Sequence, residues 1–289
     1  MEEKNRSLPG WARKNPVITC FLLVILYILL RRTTYWIFTQ LLAQSTVTEW
    51  TYEIVDVVWP LIITIAFGCA GAYRKGGFLG TLRIGGALIL YGCFFGGIRI
   101  AILFTEPGIE WQEPLMMLVN VIPMLFVGFR EESVFRACAV NVMKEKYLKD
   151  RKGIIIITVV TALCFGIMHM QNVFIGQSFV GSVDQSANAA CLGIVFAAVY
   201  LRGGSIWAMM LIHAFIDTGS MLSNLLTKTY HSSALQFIAG RTENTVDSRT
   251  AVLKAVTCVG YILVAFFIIR RSKCDEIIER YREETAGEK

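Results

Sequence analysis

The chain has 289 residues, of which 55% are hydrophobic and 17% are charged, and its formal net charge at pH 7 is +6. This composition excludes an ordinary soluble domain and indicates an integral membrane protein surrounded by lipids. The basic residues lie at the ends of apolar segments and form no continuous stripe, so the charge indicates membrane topology and not nucleic acid binding.

The N-terminal segment has the layout of a secretory signal, because basic residues precede an apolar run from Val17 to Leu30. No small-residue cleavage site follows this run, since Arg31 and Arg32 come directly after it. We therefore expect it to remain as an uncleaved first membrane span.

Eight segments are candidates for membrane helices, which need about 20 mainly apolar residues, although the sixth segment is short. Their ranges are 15–38, 54–73, 84–104, 114–143, 153–170, 188–201, 205–224 and 250–270. The predicted fold class is therefore all-α, a polytopic membrane helix bundle with about eight transmembrane helices.

The loops between these spans alternate in charge, which predicts their sides. Basic residues collect in both tails and in every second loop, whereas TEPGIEWQE and QNVFIGQSFVGSVDQS contain no Lys or Arg. The positive-inside rule then predicts a multi-pass protein of the cell membrane with both termini in the cytoplasm. Arg31 and Arg32 are exceptions, for which we expect an interfacial helix, and the polar tail CDEIIERYREETAGEK is expected to be a solvated helix that frays.

The small residues predict packing. Glycines recur in small-xxx-small patterns, Gly76 with Gly80 and Gly92 with Gly96, which favour close contact between membrane helices. The cysteines show no CxxC or zinc-finger spacing, so we expect them to be packing residues and not disulfides or zinc ligands. They are Cys20, Cys69, Cys93, Cys138, Cys164, Cys191, Cys258 and Cys274.

A few polar residues lie inside the apolar segments, where a charge costs at least ~2.5–3.5 kcal/mol and usually serves function. They are Arg130, Glu131, Glu132 and Arg136 in the fourth span, His169 at the end of the fifth, and His213 and Asp217 in the seventh. His231 follows in a loop and is expected to be solvated.

Helix spacing divides these residues into roles. Glu132 and Arg136 are four residues apart and share a helix face, so we expect an ion pair that supports the site. Glu131 points about 100° away and is left as the candidate general base. His213 and Asp217 form a second i, i+4 pair, in which the carboxylate can fix the tautomer of the imidazole.

Three chemistries could use this set of side chains. In hydrolysis, Glu131 and His169 would activate water while His213 binds the oxyanion. In a metal variant, Glu131, His169 and His213 would be ligands of a catalytic zinc, although no HExxH pattern supports it. In a transporter, the same groups would relay protons. Ser133, Ser205 and Ser220 lack a GxSxG or Ser/Lys context, which argues against a serine nucleophile.

Three short motifs carry a resemblance to a known family. EExxxR occurs at Glu131–Arg136, FxxxH at Phe165–His169, and HxxxD at His213–Asp217, in this order and on separate predicted spans. The region from about 114 to 222 therefore resembles the CPBP family, the CAAX proteases and bacteriocin-processing enzymes also called Abi proteins. The flanking spans are similar to this family only in being apolar.

The resemblance implies an α-helical intramembrane endopeptidase that acts on membrane-associated proteins or peptides. It implies that Glu131 is the catalytic glutamate, that His169 helps to activate water, and that His213 and Asp217 form the oxyanion side. Many members carry Asn where this chain has Asp217. Because an aspartate donates a hydrogen bond only when protonated, we assign it mainly to orienting His213.

The resemblance leaves the cofactor and the substrate open. A divalent metal such as zinc is one option, and a metal-free glutamate mechanism is the one we favour. Relatives act on prenylated proteins or are linked to peptide maturation, bacteriocin immunity and signalling. On this basis, 1–113 holds N-terminal transmembrane helices, 114–222 the catalytic core, and 223–289 a loop, the last transmembrane helix and the tail.

Two other functions remain as alternatives. One is a non-catalytic membrane partner or bacteriocin-immunity protein on the same fold, for which degenerate motifs would be typical. The other is a proton-coupled transporter, and the lack of an internal inverted repeat argues against it. The oligomeric state does not follow from the sequence.

Overall fold

The computed structural model describes residues 9–41, 54–105, 108–228 and 248–286. In these ranges the regular structure is helical, apart from one isolated antiparallel bridge between Trp111 and Thr227. The all-α prediction is therefore confirmed. His231, for which a solvated loop position was predicted, lies outside the described residues.

We number the α-helices in chain order. They are α1 Gly10–Lys14, α2 Pro16–Leu41, α3 Val58–Ala66, α4 Phe78–Ile84, α5 Gly86–Thr105, α6 Pro114–Glu132, α7 Asn141–Tyr147, α8 Arg151–Met168, α9 Phe179–Gly203, α10 Ile206–Leu226, α11 Ser248–Ile268 and α12 Arg271–Ala286. A π-helix at Ser133–Val140 joins α6 to α7, and 3₁₀-helices occupy Ala70–Arg74 and His169–Ile175.

Several of these helices can cross a membrane, so the chain is a multi-pass membrane protein. Among the described residues, five segments are long and apolar enough, and a sixth is added if α11 and α12, bent by 61°, form one span. The five are Pro16–Phe38, Gly86–Thr105, Pro114–Tyr147, Arg151–Phe174 and Phe179–Gly203. The predicted total of eight is not confirmed, because Ile54–Ala66 and Ile206–Leu222 are shorter apolar helices.

The second predicted span, 54–73, is interrupted. Helix α3 ends at Ala66, and Gly68 takes a positive φ of 68°, which a continuous α-helix does not allow. A 3₁₀-helix then follows at Ala70–Arg74. This glycine therefore divides an apolar stretch that hydropathy treats as one helix.

The sixth predicted span begins earlier than expected, at Phe179 instead of residue 188. Ser178 caps the helix by accepting a hydrogen bond from the Gly181 N–H at 3.0 Å. Asp184 in the first turns forms an ion pair with Lys254 of α11. Hydropathy cannot anticipate such a partner, so it places the start of this helix too late in the chain.

The core of the bundle is built around the π-helix, whose eight residues are all buried. It packs against α2, α3 and α8. Helix α8 lies along α9, and α10 lies against α5 and α6. These contacts bring together the end of α6, the end of α8 and the middle of α10, which carry the three motifs.

The glycine patterns are confirmed in part. Gly92 of α5 contacts α10 so closely that a Cβ would lie 2.9 Å from the Phe215 ring, and Gly96 faces Gly219. Gly76 has a different role, since its φ is +86° and it packs against Gly204. Gly80 has nothing within 4 Å of its Cβ position, so Gly76 and Gly80 form no shared contact.

The C-terminal tail is helical, as predicted, but part of it is buried in the protein. Helix α12 continues to Ala286 and buries Cys274, Ile277 and Ile278. Arg280 donates hydrogen bonds to the carbonyl groups of Leu201 and Arg202, at 2.5 and 2.6 Å. These carbonyls end α9 and lack helical partners, so α12 caps that helix.

Candidate active site

The site forms where α6 and α10 approach each other most closely. Gly128 of α6 is buried, and a Cβ there would lie 2.5 Å from the Met210 carbonyl oxygen and 3.4 Å from the Ala214 Cβ. Glycine is therefore needed at this position. The close approach brings the carboxylates at the end of α6 to His213, which lies beside Ala214.

Glu132 connects the two helices. Its Oε1 atom accepts a hydrogen bond from Arg136 Nη1 at 3.0 Å and another from His213 Nδ1 at 2.7 Å. The Glu132 side chain is fully buried. The predicted pair of Glu132 with Arg136 is confirmed, and Glu132 additionally fixes the orientation of the His213 ring.

The other ring nitrogen of His213 faces two carboxylates. Nε2 lies 3.4 Å from Asp217 Oδ2, which confirms the predicted i, i+4 pair, and 3.7 Å from Glu131 Oε2. A neutral ring that donates from Nδ1 would direct its Nε2 lone pair at these oxygens. A ring that also carries a proton on Nε2 could instead donate towards either carboxyl group.

The site is closed on one side and open on the other. The side chains of Glu132, His213 and Glu131 are 0%, 3% and 7% exposed, whereas that of Asp217 is 28% exposed. The half-buried His169 also belongs to the more accessible part. Asp217 and His169 are therefore the more accessible members of this group of side chains, and Glu132 is the most enclosed.

His169 joins the site through Phe165. Its Nδ1 lies 2.9 Å from the Phe165 carbonyl oxygen, and since a carbonyl only accepts, Nδ1 must donate. A neutral ring then carries its lone pair on Nε2. The rings of His169 and His213 both make edge contacts with Phe165, at centroid distances of 5.1 and 5.8 Å. Among the described residues, no ion-pair contact joins His169 to Glu131.

Arg136 lies in an aromatic cage that also borders His213. Its guanidinium carbon is 4.7 Å from the Phe165 ring centroid and 5.0 Å from that of Phe196. The Phe196 ring is 4.9 Å from the imidazole of His213. Phe165, the phenylalanine of FxxxH, thus contacts the cation of the first motif and the rings of both histidines.

Some residues of the site escaped the sequence analysis. Asp56, with a fully buried side chain, lies 3.4 Å from Arg130 Nη1 and 2.8 Å from Arg31 Nε. Arg32 Nη2 donates to the Gln171 carbonyl oxygen at 2.9 Å. Arg31 and Arg32, the exceptions to the positive-inside rule, therefore point into the protein. Their disagreement with that rule was the sequence signal that could have indicated internal partners.

The zinc alternative requires several ligands that converge on one point. The hydrogen bond from His213 Nδ1 to Glu132 leaves Nε2 as the nitrogen that could bind a metal. In the described part of the chain, no group of three or more His, Cys, Asp or Glu side chains is arranged to hold a metal ion. Glu131, His169 and His213 are therefore not grouped as a set of metal ligands in this structure.

Comparison with known proteins gives one match. Residues 111–219, somewhat more than a third of the chain, match the model of a family described as type II CAAX prenyl endopeptidase Rce1-like. The match contains all three motifs and supports the CPBP family and, in general terms, an intramembrane endopeptidase. No curated protein and no solved structure gives a significant match to the chain.

Proposed function

Because residues 111–219 are a CPBP-family region of the Rce1-like kind, we propose that this protein hydrolyses peptide bonds of membrane-associated proteins or peptides with water activated by Glu131. Membrane lipids and such substrates are its expected partners. The observation that carries the proposal is the position of Glu131. It lies beside an imidazole that a second, buried carboxylate holds in place.

In the first step, Glu131 would act as the general base. The 3.7 Å from its Oε2 atom to His213 Nε2 is too long for a direct hydrogen bond, and one water can contact both atoms. Glu131 takes a proton from this water while the water oxygen bonds to the scissile carbonyl carbon. His169, with a lone pair on Nε2 in its neutral form, would accept a hydrogen bond from the same water.

As the water oxygen bonds to the carbonyl carbon, the electron pair of the C=O π bond moves to the carbonyl oxygen, which becomes an oxyanion. A proton on His213 Nε2 can be donated to it as a hydrogen bond, while Glu132 keeps the ring fixed from Nδ1. The C–N bond then breaks, and the leaving amine takes the proton that Glu131 holds. Asp217 borders Nε2 and the open side, where it would orient the imidazole.

This mechanism routes no step through a metal. Glu131, His213 and Glu132 form a connected group of side chains that can move protons without one. We therefore predict that cleavage by the purified protein persists after dialysis against EDTA. Loss of cleavage that added zinc restores would contradict the metal-free form of the proposal.

The experiment that tests the function compares membrane peptidomes. Membranes from cells with the wild-type protein are compared by mass spectrometry with membranes carrying Glu131→Gln, which preserves size and removes the base. We expect new peptide termini only with the wild type. Identical peptidomes, together with a cellular phenotype that survives Glu131→Gln, would contradict the enzyme and favour a non-catalytic membrane partner.

A further inference from the structure

The adjacent residues Arg31 and Arg32 lie within the apolar helix α2, outside the region that the family match covers. Burying a guanidinium is costly, so its partners indicate what it supports. The Arg31 side chain donates a hydrogen bond to Asp56, and the Arg32 side chain donates one to the backbone of Gln171. Each partner adjoins one of the two turns that carry the proposed water-activating residues.

Arg31 is connected through Asp56 to the helical turn that carries Glu131. Its Nε donates to Asp56 Oδ2 at 2.8 Å, and the same oxygen lies 3.4 Å from Arg130 Nη1. Arg130 directly precedes Glu131 in α6. The carboxylate of Asp56 is completely buried, so water does not weaken this bridge. The Arg31–Asp56–Arg130 bridge can therefore hold the turn that carries Glu131 in one position and orientation.

Arg32 contacts the 3₁₀-helix that begins at His169. Its Nη2 donates to the carbonyl oxygen of Gln171 at 2.9 Å, two residues after His169. The same 3₁₀ segment is tied to α9 by a bond from Asn172 Nδ2 to Gln185 Oε1 at 2.9 Å. Because 3₁₀-helices are short and have weaker hydrogen bonds, such external bonds decide where the segment lies.

From these contacts we propose that Arg31, Arg32 and Asp56 are positioning residues that set the separation between Glu131 and His169. Helix α2 serves as the common reference for both turns, since Arg31 and Arg32 are neighbours on one rigid element. These residues touch neither the water nor the substrate. The inference rests on the proposed function, because it assigns a distance to the two groups that activate water.

The test measures kcat and KM for a cleaved membrane peptide with Arg32→Ala, Asp56→Asn and the conservative Arg32→Lys. Arg13→Ala is the matched control, since Arg13 makes a surface ion pair with Glu145. We expect kcat to fall by roughly 10- to 100-fold in Arg32→Ala and Asp56→Asn at unchanged KM, because small misplacements cost catalysis more than binding. Arg32→Lys should recover most of kcat, and Arg13→Ala should match the wild type.

Thermal unfolding of each variant separates positioning from folding. If Arg32→Lys restores the Tm of Arg32→Ala without restoring kcat, or if Asp56→Asn keeps the wild-type kcat, the positioning role is wrong. Wild-type protein that cleaves nothing, while the variants remain folded, contradicts the proposed function instead. A Glu131→Gln variant without activity beside a fully active Arg32→Ala would leave the function standing and overturn this inference.

Discussion

At the scale of residues, two adjacent glutamates have different surroundings. Glu132 is fully buried and holds Arg136 and His213 on one oxygen. Glu131 is slightly exposed and has its shortest ion-pair contact at 3.7 Å. Glu132 therefore has a structural and orienting role, whereas Glu131 has a free lone pair beside the open side. This difference fits Glu132 as the supporting residue and Glu131 as the general base.

The difference predicts that substitution of Glu132 destabilises the protein and that substitution of Glu131 does not. Glu132→Gln leaves the buried guanidinium of Arg136 without a carboxylate, and breaking a buried pair costs about 3–5 kcal/mol. Glu131→Gln removes no hydrogen bond of normal length and should leave the Tm close to that of the wild type. Thermal unfolding in detergent micelles measures both variants. Equal Tm values for the two would contradict the division of roles.

The spacing of residues predicted only part of this site. The Glu132–Arg136 and His213–Asp217 pairs follow from helix periodicity, because their members are four residues apart. The bond between Glu132 and His213 spans 81 positions and depends on how α6 and α10 pack. Asp56 is likewise 74 positions from Arg130, so no local pattern connects them.

At the scale of elements, glycines decide where helices and loops can meet. Gly128 allows α10 to pack closely against the end of α6. Gly76, which precedes α4, allows its backbone to contact Gly204 after α9. The predicted Gly76 and Gly80 pattern was wrong as a helix contact. Sequence spacing does not distinguish a glycine that packs from one that supplies a positive φ, and of Gly76 and Gly80 only Gly76 has a positive φ.

Gly76 and Gly80 therefore make a matched pair for mutation. A Cβ at position 76 would lie 2.1 Å from the Gly204 carbonyl carbon at φ +86°, so Gly76→Ala should destabilise the fold by about 1–3 kcal/mol or more. Gly80→Ala adds a methyl group to open space in α4 and should be neutral or slightly stabilising. Unfolding temperatures compare them, and equal losses would contradict the assigned roles.

At the scale of the whole molecule, the described contacts agree with the charge rule. Segments predicted to lie on one side touch each other: Arg13 pairs with Glu145 at 3.2 Å, and Lys146 donates to the Lys14 carbonyl. On the opposite side, the Lys228 N–H donates to the Glu110 carbonyl. Loops that share a predicted side are thus neighbours, which supports the topology without fixing its absolute orientation.

The orientation itself can be measured. Because the basic loops and both tails are predicted to lie in the cytoplasm, protease-cleavable tags at either terminus should be removed from inside-out vesicles and protected in right-side-out ones. A tag inserted between residues 229 and 247, which are predicted to lie on the opposite side, provides the control and should show the reverse. Termini that are digested from outside would contradict the predicted orientation.

The central claim is that Glu131 is the base that activates water, and its most direct measurement is the kcat of purified Glu131→Gln on an identified membrane peptide. Glu131→Gln should lower kcat by about 10²–10⁴-fold, the usual contribution of a general base, with little change in Tm. A folded Glu131→Gln protein that cleaves this peptide at the wild-type rate would contradict the account.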